Sequence, residues 1–325
     1  MSADWKPAAN IATIQLRARL NALLRIFFAE RNVLEVETPT LSASGNTDPN
    51  IASFKLDAGA SARPQPRWLR TSPEYALKRL LAAGIGDCYE LGRVFRRGEA
   101  GRNHNPEFSM LEWYRVGWDH RRLMREVAEL VTAALALVDR IPHVRECSYR
   151  DLYREVLGLD PFTAADETLR GALDDVTIDP SGLTREDWLD LLMTHCIQPQ
   201  LRSDGLLLLY DYPASQCALA RIRHDRNDAP PVAERFEAYL GPLEMANGYH
   251  ELTDATEQRA RFLRDLDLRR QRGDCLPALD ERLLAALEHG LPSCAGVALG
   301  VDRLLTALSG GAGIAGTLAF PFDRA

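Results

Sequence analysis

The sequence predicts an α/β fold, and three observations carry that prediction. An amphipathic helical run opens the chain and is followed at once by an alternating segment that ends at a proline. Two stretches, Gly92–Tyr114 and Val232–Glu251, alternate in polarity on both sides of a turn, as strand hairpins do. A glycine-punctuated apolar segment, Ala295–Gly300, leads into a final helix.

The opening helix spans Ile11–Glu30. Leu16, Leu20, Leu23, Leu24, Phe27 and Phe28 recur at helical spacing, and Arg17, Arg19 and Arg25 fall mostly away from them. Val33–Thr38 alternates as a strand, which Pro39 stops. Residues 46–66 are rich in Gly, Ala, Ser and Pro and read as loop, with a short strand near Ile51–Leu56. In Thr71-Ser72-Pro73-Glu74 a hydroxyl can cap the next helix, with proline in its first turn and Glu74 at its positive end. Glu74 is then either a first-turn carboxylate or a group facing a ligand amine.

The stretch Gly92–Tyr114 organises the chain. Tyr89–Phe95 is one strand; Phe108–Tyr114 returns with Phe108, Met110, Glu112 and Tyr114 on a common face. Arg96, Arg97, Glu99, Arg102, His104 and Asn105 lie between them. Arginine offers a planar fork of donors and a permanent charge, so such a loop suits phosphate; a solvated charged loop is the alternative.

His120–Val138 reads as a core helix, and residues 149–204 as an acidic helical insert. Leu206–Tyr210 is a short apolar strand. In the second hairpin a two-residue turn at Gly241-Pro242 sets Tyr239 opposite Glu244 and Glu237 opposite Ala246. Glu237 and Glu244 become diagonal neighbours able to hold a hard cation, or simply exposed strand glutamates. Asn247, Tyr249 and Glu251 fall on the other face unless a bulge near Gly248 intervenes. Helices follow over Thr256–Arg272 and Leu279–Gly290. The closing glycines precede a helix that carries Arg303 near its N-terminus, an arrangement suited to an anion.

A chain of 325 residues suits one large domain or two small ones. The net charge of −7 supplies no global basic field for nucleic acid. The six cysteines are scattered without a CxxC pair, and with seven scattered histidines no zinc spacing appears. Such thiols suit a reducing cytosol better than a disulfide framework. No signal-peptide pattern opens the sequence and no run is long and apolar enough to span a bilayer, so a cytoplasmic protein without membrane contact is expected.

Three stretches, in order, carry a family resemblance. VLEVETP ending at Pro39 resembles motif 1 of the class II aminoacyl-tRNA synthetases, VFRRGE…RNHNPEFSMLEWY resembles motif 2, and GVALGVDRL resembles motif 3. TSPEYALKRLL, HNPEFSMLEWY and EMANGYHELTDA are most similar to the lysyl enzymes. The resemblance covers nearly all of the chain except the acidic insert. It implies a class II catalytic core: an antiparallel sheet of six to seven strands flanked by helices, as one domain over residues 1–325 with an insert at roughly 149–204. It also implies a homodimer through motif 1. No anticodon-binding domain is expected, because the catalytic helix begins near residue 11. The length, PASQ at Pro213–Gln216 and GVALGVDR are similar to a truncated branch of the lysyl enzymes. That branch activates (R)-β-lysine with ATP and attaches it to a lysine of elongation factor P. The resemblance thus implies elongation factor P as partner, (R)-β-lysine or lysine as substrate, and no tRNA anticodon recognition. Aminoacylation of tRNA and a non-catalytic synthetase-like binding role are the alternatives.

The same resemblance assigns residues. Arg96 would hold the α-phosphate of ATP and Arg303 the γ-phosphate, as the catalytic pair. Arg97, Gly98 and Asn105 would lie along the adenine and phosphates, with Met245 and Gly300 bordering the nucleotide. Glu237 and Glu244 match the acidic pair that carries Mg2+, with Glu244 also at the nucleotide. Ser72, Pro73 and Glu74 would meet the amine nearest the substrate carboxylate. Glu112, Tyr114, Asn247 and Glu251 would surround the distal ammonium. Ala298 stands where lysyl enzymes have glycine, and one methyl at a pocket floor is worth ~1–3 kcal/mol of discrimination. The motif 2 acid is displaced: Gly98 occupies its usual position and Glu99 follows.

Overall fold

The structure, a computed structural model, describes residues 5–57, 66–173, 179–224, 229–311 and 313–325. Parts of two expected segments lie outside the described residues, 58–65 of the first loop and 174–178 of the insert, as do residues 225–228 before the second hairpin.

In chain order the elements are α1 (Ile11–Ala29), β1 (Leu34–Glu35), β2 (Leu41–Ser42), β3 (Lys55–Asp57), β4 (Pro66–Leu69), α2 (Glu74–Ala82), β5 (Cys88–Phe95) and β6 (Glu107–Val116). They continue with α3 (His120–Ala136), β7 (His143–Ser148), α4 (Tyr149–Leu157), α5 (Asp166–Gly171), α6 (Arg185–Leu192), β8 (Gly205–Pro213), β9 (Ile222–Arg223), β10 (Val232–Leu240) and β11 (Leu243–His250). The chain closes with α7 (Ala255–Arg272), α8 (Glu281–Gly290), β12 (Cys294–Gly300) and α9 (Val301–Ser309). Among the described residues no helix is long and apolar enough to cross a membrane.

Two compact units divide the chain, one from Met1–Gly117 with Leu252–Ala325, the other Trp118–Glu251. In the first unit the strands run in the order β1-β5-β6-β12, and β2-β4-β3 form a small sheet apart. The apolar stripe of α1 covers one face: Phe28 stacks on Tyr89 at 4.4 Å and meets the edge of Trp113 at 5.3 Å. Burial of each such ring contributes about 1.5–3 kcal/mol. The expected motif 1 strand is shorter than its alternation suggests. Only Leu34 and Glu35 pair with β5, and the Val36 amide adds one bond to Tyr89 O at 2.9 Å. Beyond it the chain is held by side chains instead. Arg70 Nη1 donates to Glu90 Oε1 at 2.5 Å and to Thr38 O at 3.1 Å, while Thr38 donates to Glu90 Oε2 at 2.6 Å. Gly92 makes room for this buried arginine, since a Cβ there would stand 2.5 Å from Arg70 Nη2.

In the second unit the order is β11-β10-β8-β7, with β9 beside β10. The antiparallel expectation needs correction at two strands: β1 joins β5 in parallel and β7 joins β8 in parallel. Both are reached through helical crossovers, which permit a parallel partner where a tight turn does not. The insert helices bury Tyr149, Tyr153, Leu169, Trp188 and Leu192 against Leu207 and Leu209 of β8. The acidic insert thus supplies the apolar cover for one face of this sheet. α3 packs against β8, β10 and β11.

Candidate active site

In the first unit, β5, β6 and β12 align three rows of residues on one face. Cys88, Tyr114 and Gly296 form one row; Glu90, Glu112 and Ala298 the next; Gly92, Met110 and Gly300 the third. Directly opposed residues of antiparallel strands share a face. The β12 positions of all three rows are glycine or alanine, so the floor beside Glu112 and Tyr114 is low, and the Ala298 methyl stands directly beside Glu112.

Glu112 is almost fully buried at 2% exposure. Its Oε2 accepts from the Ser72 hydroxyl at 2.5 Å and its Oε1 from the Tyr114 hydroxyl at 2.9 Å. These two hydroxyl donors fix its orientation. Burial, with the Asp87, Glu112 and Glu90 carboxylates, pushes the nearby Cys88 thiol up to about 12. This face therefore carries negative potential suited to an ammonium. Ser72 also accepts from the Glu74 amide at 2.9 Å, so it performs the capping expected of it from just outside the helix; Pro73 stands at the N-cap itself. Glu74 is already partnered: buried Lys78, one turn on, donates to its Oε1 at 2.7 Å. A cavity runs past Ser72, Pro73 and Glu74 and is walled by Thr38, Asn46 and Arg70.

The arginine loop and the closing helix meet. Arg303 Nη2 lies 2.7 Å from His104 Nε2. Burial first, then the Arg303 charge and in part that of Arg96, hold the His104 pKa below its ordinary value. Both arginines are therefore close enough to act on one imidazole. Arg96 lies over Phe108 at 5.2 Å and reaches Thr71 O at 3.4 Å. Gly98 turns the loop at φ +86°, a left-handed conformation that favours glycine, and Glu99 comes back to 3.6 Å from Arg96. The Arg97 side chain is exposed, while its amide donates to Ala52 O at 2.7 Å. Asn105 is committed to the fold, donating to Glu107 O at 2.6 Å and accepting from the Phe322 amide at 3.0 Å. Asp302, next to Arg303, is buried, pairs with Arg17 of α1 and accepts from the Ser109 amide at 2.7 Å. The pair fixes α9 to α1 and β6.

In the second unit the hairpin turn is as expected, with Leu240 opposite Leu243 and Tyr239 opposite Glu244. The register then shifts. Ala238 faces Ala246, so Met245 is an extra residue, and Glu237 faces Asn247 rather than Ala246. This bulge lies nearer the turn than Gly248. It leaves Glu244 on the face of Glu237 and returns Asn247, Tyr249 and Glu251 to that face, because one added residue exchanges the faces of all that follow. Met245 and Glu251 are buried; Glu244 and Asn247 are half-buried.

Partners that sequence reasoning missed hold this face. Glu237 accepts from Arg235 Nη2 at 2.5 Å and from the Tyr239 hydroxyl. Arg235 also reaches Asn247 Oδ1 at 3.2 Å and Gln216 O at 2.9 Å, and the Gln216 amide reaches Asp190 of the insert at 2.8 Å. Arg235 and Tyr239 sit two residues either side of Glu237, a strand spacing that marks a shared face. Lys78, four residues after Glu74, carried the corresponding helical signal. An ionised carboxylate has about four acceptor sites, so Glu237 keeps capacity for an oxygen-seeking cation beyond its two donors. Glu237 and Glu244 together suit Mg2+.

The family model for tRNA synthetases class II (D, K and N) matches residues 3–324. Among curated proteins, an elongation factor P–(R)-β-lysine ligase of Vibrio cholerae is 44% identical over 330 residues, covering 100% of this chain and 99% of that protein. The ligase of the same name from Yersinia enterocolitica is 44% identical over 329 residues, with 100% and 99% covered. That from Proteus mirabilis is 44% identical over 329 residues, with 99% of each chain covered. Three motifs in order, strands that align their residues on one face, and a match along almost the entire length agree: the chain belongs to the class II tRNA synthetase family of the D, K and N type.

Proposed function

We propose that this chain uses ATP to activate (R)-β-lysine, or lysine, as an adenylate and passes the acyl group to a lysine side chain of elongation factor P. The observation that carries this reading is buried Glu112, aimed by Ser72 and Tyr114 beside the Ala298 methyl, in a chain whose curated relatives bear that ligase name.

A buried carboxylate is costly unless a cation joins it. Glu112 with Tyr114 would take the distal ammonium, with Asn247 and Glu251 supplying further polar groups to that amine. Ser72, Pro73 and Glu74 would border the amine nearer the carboxylate, where Lys78 tempers the charge of Glu74. A substrate carboxylate oxygen then attacks the α-phosphorus of ATP; the bond to the bridging oxygen breaks and pyrophosphate leaves. No protein nucleophile is needed, so catalysis consists of positioning and charge neutralisation. Arg96 and Arg303 serve the α- and γ-phosphates, with Arg97, Gly98, Asn105, Met245 and Gly300 lining the nucleotide. Neutral His104 accepts from Arg303 and orients its guanidinium. Glu237 and Glu244 would hold Mg2+, which when bound neutralises phosphate charge. In the second step the acceptor lysine nitrogen attacks the adenylate carbonyl, AMP departs, and the amine gives up its proton to solvent.

Exposed Ile11, Ile26, Leu34 and Leu41 on α1, β1 and β2 support a homodimer through motif 1. The work on a translation factor and the scattered free thiols support a cytoplasmic setting.

The test has two parts. Exchange of pyrophosphate into ATP should depend on (R)-β-lysine or lysine and fall on the order of 10²–10³-fold in Arg303→Ala, the scale of losing one aimed donor at a developing charge. Unchanged exchange in that variant refutes the mechanism. Labelled substrate should then move to elongation factor P; label moving to tRNA alone refutes the acceptor.

A further inference from the structure

We propose that His120, Glu234 and His250 form a binding site for a zinc-type divalent cation, separate from the Glu237/Glu244 pair. The sequence shows no metal spacing because the three residues are far apart along the chain. The fold of the second unit brings one ligand atom from each within 4.8 Å of the others.

His120 points most directly to a ligand. It is the first residue of α3, only 2% exposed. Its Nε2 lies 3.1 Å from Asp211 Oδ1, and its Nδ1 is buried with no hydrogen-bond partner. A buried imidazole nitrogen without a partner costs the desolvation of that group. An imidazole tethered by a carboxylate at one nitrogen and open at the other is the arrangement in which a metal-bound histidine is oriented and made more basic.

The strands are shaped for the same point. Ala233 pairs with Tyr212 and Phe236 with Tyr210, so two residues of β10, Glu234 and Arg235, stand against Asp211 alone. Asp211 takes φ +59°, a conformation uncommon outside glycine, asparagine and aspartate. His250 follows Tyr249, the partner of Arg235, and its Nδ1 lies 2.7 Å from Glu234 Oε2. Glu234 itself is buried.

Two imidazoles and one carboxylate make a donor set for Zn2+, with a fourth position open to water; Mg2+ prefers oxygen donors alone. Arg223 lies 3.4 Å from Glu234 Oε1 and 2.7 Å from Asp211 Oδ2, and Arg221 lies 3.6 Å from Glu234 Oε2. These guanidiniums balance the two carboxylates, and their contacts with Glu234 are long. A bound ion would join the start of α3 to β10 and β11 and so stabilise the second unit by mass action.

The test uses the full chain, stripped with a chelator and titrated with Zn2+ by calorimetry and with Co2+ by visible absorption. One equivalent of Zn2+ should bind and raise the melting temperature, unaffected by millimolar Mg2+. Bound Co2+ should show tetrahedral bands without thiolate charge transfer, which excludes the cysteines. His120→Asn and His250→Asn should each weaken binding by on the order of 100-fold or more and abolish the thermal shift. Asp211→Asn, which the left-handed backbone tolerates, should weaken it ~10–100-fold and serves as the reporter where a histidine variant fails to fold. Binding that is not one to one, that shows a thiolate band, or that survives in a folded His120→Asn or Asp211→Asn variant overturns the site. So does a Zn2+ signal lost in Glu237→Gln but kept in His120→Asn.

Discussion

Arg303 and His104 touch, Nη2 to Nε2 at 2.7 Å, and this contact joins the arginine loop to the closing helix. The imidazole must be neutral to accept from a guanidinium. In the unfolded chain His104 titrates near 6.5; in the folded chain burial and the arginines lower that value. Between the two values the unfolded chain binds more protons, so this contribution to stability is complete above 6.5 and is lost as the pH falls through the window. NMR titration of the ligand-free protein should show His104 below 6.5, and Arg303→Ala should raise it only part of the way, because burial is the larger cause.

Replacing Gly92 by alanine should destabilise the first unit. The new methyl would meet Arg70 Nη2 at 2.5 Å, and that guanidinium cannot move freely because it is bonded to Glu90, Thr38 and the carbonyl of Arg93. Overpacking of this kind costs about 1–3 kcal/mol. Denaturant unfolding checks the loss; an unchanged midpoint would show that Arg70 finds another seat.

Glu112→Gln keeps the shape of the side chain and removes its charge. Hydrogen bonds to charged groups contribute about 1.5–3 kcal/mol, so the KM for the amine substrate in pyrophosphate exchange should rise on the order of 10–100-fold. The KM for ATP should stay nearly constant. Equal rises in both would show that Glu112 supports the fold rather than the amine.

Deleting Met245 removes the bulge of the second hairpin. With the turn unchanged, Ala246 and the residues after it would exchange faces, and Asn247, Tyr249 and Glu251 would leave the face of Glu237. Exchange activity should fall to background while circular dichroism retains the native strand signal. Retained activity would mean that the strand re-forms its bulge elsewhere.

Much of this architecture was legible in the chain. Alternation placed Met110, Glu112 and Tyr114 on one face, and the turn at Gly241-Pro242 set Tyr239 against Glu244, because both follow from local periodicity. The bulge did not follow. Met245 looks like any strand residue, and only pairing against Ala238 and Tyr239 makes it the extra one. The parallel partners of β1 and β7 were equally hidden, since a strand's own residues say little about its neighbour's direction. Lys78 beneath Glu74, and Arg235 and Tyr239 around Glu237, had the right spacing but read as ordinary helix and strand residues until burial showed whom they serve. The reach of His120 to Glu234 and His250 has no local signature at all.

Asp302 is bound to Arg17, 285 residues earlier, and to the Ser109 amide, 193 residues earlier. The Ala8 and Ala9 amides bond to carbonyls of Ala319 and Leu318. Closing contacts so distant in sequence is slow, because chain entropy must be lost before they form. During synthesis the arginine loop leaves the ribosome long before β12 and α9 exist. A nascent chain stopped short of Cys294 has β6 as an open edge, with the backbone groups that face β12 unpaired and no floor beneath Glu112. Such an edge invites pairing with other chains. The segment from Cys294 onward therefore acts as a timer, withholding both a closed edge for β6 and the floor beside Glu112 until it too has left the ribosome.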